Sequence, residues 1–472
     1  DHWSIGGGLA IVGHLATDSG ELSKGTRGFA AAPLVALSLV NFVDQLDVSI
    51  LRGVAPTIQR EWGLSDFKLG MLFFAFIFVN SLASVPAGWV ADHYRRTRVI
   101  GYTLLSWSVL TSFCATAVNF WHLFTARAML GFGQAIDDPA STSLLGDYYP
   151  ASQRGRIFSA QQVMNFLGGG IGIGLGGLVA TSLGWRWAFV LVGVPGSLIG
   201  FWLFKLREPA RGEADRIATL GPEAAIEVEA SMSVAAHSGP RETVGAFLGR
   251  AWHEVVAELR FIFGIRTMRY ILVGVSTLLF TVSGVGSWLA IYHQRYSGLS
   301  EARSTGVTAG VLAVGGVMGT IWGGTVADRL FSKGPKGRIT LVAAGIMACT
   351  GLFLASWVIA AVPVRIFLQF LGVIAITSAF PGLRASMMDV IPAESRGLGA
   401  SAFALTSAIF GTALAPPLVG AISDATNSLV TAFYIVTPPI FIGTFILLRA
   451  RATIEEDAAA IIQRMIDAHA DA

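Results

Sequence analysis

Polar side chains that interrupt long apolar runs are the residues of this sequence with the greatest capacity for chemistry. On insertion scales, a charged side chain costs roughly 2.5 to 3.5 kcal/mol at the centre of a membrane span, so each is a functional candidate. The candidates in the first and fourth apolar runs are Asp44, Asp47, Arg127, Gln134, Asp137 and Asp138. At such a site an arginine can bind an anionic solute, and a buried carboxyl group can carry a proton near neutral pH.

Helical periodicity predicts which of these side chains share a face. At about 100° per residue, the rotation from Arg127 to Gln134 and that from Arg127 to Asp138 each fall within about 20° of whole turns. We therefore expect Arg127, Gln134 and Asp138 to form one polar stripe, with Asp137 to its side. A polar stripe cannot face lipid, so it should line a central cavity, or Arg127 should form a structural ion pair with Asp44.

The elements that must position these residues are membrane-spanning helices. Hydrophobic side chains make up 53% of the 472 residues and charged ones only 13%, which excludes an ordinary soluble protein. Runs of about 20 apolar residues, the length that spans a bilayer, occur twelve times. They cover residues 30–51, 69–91, 98–117, 121–146, 157–182, 186–206, 269–292, 305–327, 339–361, 364–388, 397–421 and 430–448. We predict an all-α polytopic membrane protein with twelve transmembrane helices, arranged as two six-helix pseudo-repeats around a central cavity.

The domain organisation follows from these runs and the polar stretches between them. We expect an N-terminal segment at 1–27, six-helix bundles at 28–206 and 269–449, a linker at 207–268 and a tail at 450–472. The linker should be flexible from Glu208 to Glu242 and form an amphipathic surface helix from Phe247 to Phe263. Lys and Arg cluster in the loops on one side, which predicts cytoplasmic termini in a bacterial inner or plasma membrane.

Two sequence patterns repeat between the halves. The string G-W-V-A-D-H-Y-R-R-T-R at 88–98 returns around 324–338, and D-Y-Y-P-A-S-Q-R-G at 147–155 returns as D-V-I-P-A-E-S-R-G at 389–397. Their charges should cluster at the cytoplasmic face and hold the halves together in one state. The expected gating residues are Asp92, Arg95, Arg96, Asp147, Arg154, Asp328, Arg338, Asp389 and Arg396.

Other patterns exclude most alternatives. Gly168, Gly172 and Gly176 form overlapping G-x-x-x-G patterns in the fifth span, which predict close helix packing or a sliding face used in gating. Glycine strings of this kind inside a membrane helix do not bind a dinucleotide, and the chain contains no Walker loop. We therefore expect no enzyme activity, no cofactor, no metal and no nucleic-acid partner, and a monomer that contacts membrane lipids.

The duplicated G-x-x-x-D-x-x-x-R motif resembles that of the major facilitator superfamily, over essentially all twelve spans. More narrowly, F-V-D-Q-L at 42–46, T-A-R-A-M-L-G-F-G-Q at 125–134 and L-G-D-Y-Y-P-A-S-Q-R-G-R at 145–156 resemble the spinster family. The same holds for W-R-W-A-F-V-L-V-G-V-P-G and R-E-P-A-R-G, the latter at 207–212. Spinster-like proteins transport sphingosine phosphate or lysophospholipids in animals, and proton coupling is proposed for some. The resemblance implies that Asp44 and Arg127 are the family's cavity aspartate and arginine.

Two positions depart from that family's pattern. Gln45 stands where an arginine is usual, and Gln134 stands where a glutamate is usual. Asp138, one turn beyond Gln134, is the replacement proton site that helix geometry suggests, with Asp44 as its competitor. We expect a secondary transporter of an amphipathic, anionic, lipid-like solute, and the sequence leaves open whether a proton is transported with it. The alternatives are a proton symporter of small organic anions and a non-transporting receptor.

Overall fold

The computed structural model describes residues 31–220, 263–331, 335–380 and 405–470, with a few single positions between these ranges. All regular structure in these ranges is helical. The helices are α1 Ala31–Trp62, α2 Asp66–His93, α3 Arg96–Cys114, α4 Phe120–Gln134, α5 Asp137–Tyr148, α6 Ala151–Ser182, α7 Trp185–Leu203, α8 Glu213–Leu220, α9 Arg266–Tyr296, α10 Glu301–Phe331, α11 Pro335–Val358, α12 Val362–Thr377, a π-helix Ala408–Ala413, α13 Ala415–Thr426, α14 Leu429–Val436 and α15 Pro439–Ala470.

These helices confirm the predicted membrane fold. Nine helices within the described ranges are long and apolar enough to cross a membrane. As far as the described residues reach, each of the twelve expected spans corresponds to a helix or to a pair of consecutive helices. The fourth span is divided into α4 and α5 at Ala135 and Ile136, just before Pro139, and the twelfth is divided into α14 and α15. Two helices extend well past their predicted spans: α1 continues to Trp62 instead of ending at Leu51, and α15 continues to Ala470 instead of ending at residue 448.

Helix α6 holds the first bundle together through its glycines. A Cβ atom at Gly168, Gly172 or Gly176 would lie only 2.3 to 2.7 Å from a main-chain oxygen of α1. Hydrogen is therefore the only side chain that permits this separation, and the two backbones approach as G-x-x-x-G packing predicts. Helix α1 is fixed against α6 along the stretch that carries Asp44, Asp47 and the polar residues after them.

Another face of α6 contacts α10, which belongs to the second bundle. A Cβ atom at Gly170 would lie 2.3 Å from the Cβ atom of Ala313. One at Gly177 would lie 1.9 Å from Thr305 Oγ1. The two halves thus meet along a seam of small side chains.

Polar contacts join the two halves where α1 ends and α2 begins. Glu301, at the start of α10, forms an ion pair with Arg60 and accepts a hydrogen bond from Thr57. Arg295, near the end of α9, donates to both carboxylate oxygens of Asp66, at 2.8 and 2.6 Å. The main-chain N–H of Asp66 donates to Asp424 Oδ1 at 2.9 Å. We call the pairs Arg60–Glu301 and Arg295–Asp66 the rim network.

The start of the linker docks on the opposite end of the first bundle. Glu208 accepts from Arg96 Nε at 2.9 Å and from Thr97 N at 2.8 Å. Gly212 N donates to Asp147 Oδ1 at 2.7 Å, and α8 follows directly. The prediction of a flexible stretch from Glu208 is therefore wrong for residues 213–220, which form α8. The contacts of Glu208 and Gly212 hold the chain against the first bundle just before this helix begins. The stretch predicted as an amphipathic helix lies mostly outside the described residues.

Candidate functional site

A cavity of about 520 Å³ lies between the two bundles. Residues of α1, α2 and α6 line it from the first half, and residues of α9, α10, α11, α12 and α15 line it from the second. Most of its wall is apolar, with Phe166, Ile173, Leu279, Phe353 and Ile376 among the lining residues. Its size falls in the range of small-molecule binding sites, roughly 300 to 1,000 Å³.

A polar stripe on α1 forms one side of this cavity. Gln45, Ser49 and Arg52 all line it, and their spacing of four and three residues places them on one helical face. Arg52 is the only charged residue among the described residues that line the cavity, and its Nη1 lies 3.4 Å from Ser49 Oγ. The sequence pattern does not single out Arg52, because the first apolar run ends at Leu51, one residue before it.

Arg127 belongs to a separate buried cluster. Its Nη1 lies 3.6 Å from Asp47 Oδ2, and the two side chains are 1% and 0% exposed. Asp47 also accepts from Thr111 Oγ1 and from Gln134 Nε2, each at 2.9 Å. This cluster joins α1, α3 and α4. The predicted ion pair between Arg127 and Asp44 is therefore wrong, because Asp47 is the carboxylate that faces the arginine.

The other predicted carboxylates take different positions from those expected. Asp137 is buried and accepts from Ser141 Oγ at 3.0 Å, whereas Asp138 is exposed. The predicted stripe through Asp138 is wrong, because the break after Gln134 ends the helical phase on which it depended. Asp44 is half-buried and accepts from its neighbour Gln45 at 2.9 Å. The described residues contain no group of three or more His, Cys, Asp or Glu side chains that could hold a metal ion.

Only part of the predicted gating set can be located. Arg96 is buried and pairs with Asp147 and Glu208 inside the first half, while Arg95 is exposed. Arg154 Nη2 donates to the carbonyl of Gly146. The side chains of Asp92, Asp328 and Arg338, and the residues Asp389 and Arg396, lie outside the described part of the chain. That these residues act as a gate stays a prediction.

Comparison with known proteins finds relatives over almost the whole chain. A model of the Major Facilitator Superfamily matches residues 37–409. A probable galactarate/D-glucarate transporter of Bacillus subtilis is 23% identical over 85% of this chain and 87% of its own length. Protein spinster homolog 3 of Danio rerio is 22% identical over 86% of this chain and 78% of its own. The crystal structure of a bacterial homolog to the human lysosomal transporter Spinster, in an inward-facing and unoccupied conformation, is similar in fold. It has a TM-score of 0.70 at 20% identity and covers 93% of this chain and 99% of that one.

Proposed function

The chain belongs to the Major Facilitator Superfamily, a family of membrane transporters, and we propose that it moves an amphipathic, anionic, lipid-like solute by alternating access. Lysophospholipids and sphingolipid phosphates are the solutes of this type. The observation that carries the proposal is the cavity between the halves, which combines a largely apolar wall with the charge of Arg52. Binding against an apolar wall is stabilised by about 25 cal/mol for each Å² of apolar solute surface that is removed from water.

The rim network supports the proposed cycle. Its ion pairs join the two halves at one end of the bundle, so they must separate before the cavity can open there. The predicted topology, with cytoplasmic termini, assigns this end to the extracytoplasmic side. In this conformation a solute would then reach the cavity from the cytoplasm. We further propose that one chain works as a monomer, since both halves of the cavity come from the same chain.

Small organic anions are the second candidate, because a probable sugar-diacid transporter is among the relatives. A galactarate-type solute carries two carboxylates and several hydroxyl groups. Each buried polar group of such a solute requires a partner, or costs about 1 to 3 kcal/mol. The described lining residues include one charged side chain in a mostly apolar wall, which favours the amphipathic solute.

For proton coupling, the contacts favour Asp44, which sequence analysis named as the competitor of Asp138, together with Asp137. Neither Asp44 nor Asp137 forms an ion pair within the described residues, and each accepts a hydrogen bond from a neighbour on its own helix. We propose that this pair carries the proton instead of Asp138. Transport measured against pH should lose its pH dependence in Asp44→Asn or Asp137→Asn and keep it in Asp138→Asn. A pH-independent unmodified protein would remove the coupled proton from the proposal.

A thermal-shift screen tests the substrate class. The purified chain should unfold at a higher temperature with an anionic lysophospholipid, because a ligand that binds only the folded state stabilises it. D-Glucarate at matched concentration should produce no shift. A shift with glucarate and none with any lysophospholipid would replace the first candidate by the second.

A further inference from the structure

The α1 stripe presents an uncompensated positive charge to the cavity. Gln45, Ser49 and Arg52 are separated by rotations of about 400° and 300°, so they lie within about 60° of one another around the helix. The guanidinium of Arg52 has one hydrogen-bond partner among the described residues, the hydroxyl of Ser49. An arginine within a membrane protein requires a counter-charge or an aqueous environment.

No described carboxylate supplies that counter-charge. Asp47 is occupied by Arg127, Thr111 and Gln134, and it is completely buried away from the cavity. Asp44 precedes Arg52 by eight residues, which places it about 12 Å away along the helix axis. The charge of Arg52 is therefore available to a ligand, while that of Arg127 is not.

Space for a ligand group exists beside the stripe. Gly169 of α6 lines the same cavity, and it contributes no side chain to fill it. A Cβ atom at Gly169 would lie 3.5 Å from Ser49 Oγ, which is ordinary contact distance. The glycine at this position leaves the hydroxyl of Ser49 approachable from α6.

We propose that Arg52, with Ser49 and Gln45 beside it, binds the anionic group of the transported solute, and that Arg127 does not. The apolar part of the solute then lies against the second half, where Leu279 and Phe353 line the cavity. The arrangement suits one phosphate or carboxylate group on an apolar body. This inference rests on the proposed function for the solute class, and it assigns the head group to a particular side chain.

The test compares two ligands that differ only in the phosphate group. Dissociation constants are measured for 1-oleoyl lysophosphatidic acid and for 1-oleoyl glycerol, its phosphate-free counterpart, on the purified full chain. A charge-assisted hydrogen bond contributes about 1.5 to 3 kcal/mol, so Arg52→Gln should weaken binding of the phosphate ligand by about 10- to 150-fold. Binding of the neutral ligand should change by less than about twofold. The affinity of Arg52→Lys for the phosphate ligand should lie between those of the unmodified protein and Arg52→Gln, since the charge remains and the planar guanidinium is lost.

Arg186→Gln serves as the control, because Arg186 is an exposed arginine paired with Glu61 outside the cavity. It should bind both ligands as the unmodified protein does. Equal loss of both ligands in Arg52→Gln, or undiminished binding of the phosphate ligand, would overturn the assignment of Arg52. If the unmodified protein binds glucarate alone, the lipid-like substrate class fails. Loss of glucarate binding in Arg52→Gln would then still support Arg52 as the anion site. Undiminished glucarate binding in Arg52→Gln would overturn that assignment.

Discussion

Removal of the Asp47 charge should destabilise the protein without acting through the solute. Asp47 and Arg127 are 0% and 1% exposed, and their carboxylate and guanidinium lie 3.6 Å apart. Breaking a buried pair by neutralising one partner typically costs about 3 to 5 kcal/mol, because the other charge is left without compensation. Asparagine keeps one of the two oxygens, so it can still accept from one of the two donors, Thr111 or Gln134, whose hydrogen bonds to Asp47 measure 2.9 Å each. We therefore expect Asp47→Asn to lower the free energy of unfolding by about 3 kcal/mol, the lower end of that range.

The measurement is equilibrium unfolding of the purified protein in mixed micelles of a mild detergent and SDS. Asp44→Asn is the matched control: Asp44 lies on the same helix and accepts one hydrogen bond, but it forms no ion pair among the described residues. Its loss should cost no more than about 1 kcal/mol. The double variant Asp47→Asn/Arg127→Gln should recover part of the lost stability, with an interaction energy of about 0.5 to 3 kcal/mol. Equal stability of Asp47→Asn and Asp44→Asn would refute the structural role of the pair. So would a double variant whose loss of stability is the sum of the losses in Asp47→Asn and Arg127→Gln.

Three further predictions concern the contacts between the halves and the docked linker. Glu301→Gln should weaken the rim network, because it removes the ion pair with Arg60. A cysteine introduced into the cavity should then react faster with a membrane-impermeant reagent added on the extracytoplasmic side. An unchanged labelling rate would argue against a gate. Gly177→Val should have the same effect, because a Cβ atom at Gly177 would lie 1.9 Å from Thr305 Oγ1, and Gly177→Val/Thr305→Ala should partly reverse it. Burial opposes ionisation of Glu208, but hydrogen bonds from Thr97 and Arg96 outweigh it and hold its pKa below the ordinary value of 4.5. Its stabilising contribution is thus present above pH 4.5 and is lost as the pH falls through the lowered pKa, so thermal stability should decline less on acidification in Glu208→Gln than in the unmodified chain.

The fold could be predicted from sequence because the bilayer imposes one length and one composition on every span. The apolar runs and the G-x-x-x-G pattern each express a local requirement that the described helices meet. Helix ends were harder to place. Hydropathy drops at Arg52, yet α1 continues to Trp62, since its polar end meets Glu301 of the second half instead of lipid.

The site could be predicted only in its residue types. Asp44 and Asp47 lie three residues apart, and local spacing cannot tell which of them faces Arg127; the packing of α3 and α4 against α1 decides it. Extrapolating one helical phase from Arg127 to Asp138 failed where the fourth span is interrupted. Pro139 was a visible signal of that interruption, but not of the direction in which the chain resumes.

Glycine variants of helix α6 should have two different phenotypes, because its glycines contact two different neighbours. Gly168, Gly172 and Gly176 contact α1 within the same half, so a larger side chain there opposes assembly of the bundle and should reduce the amount of protein recovered. Gly170 and Gly177 contact the other half, and a larger side chain there should leave a well-folded protein that cycles poorly. A saturation library of this single helix, scored for expression and for turnover, would thus yield two classes that alternate along the sequence. Defects in biogenesis and defects in turnover would be assigned to positions only one or two residues apart.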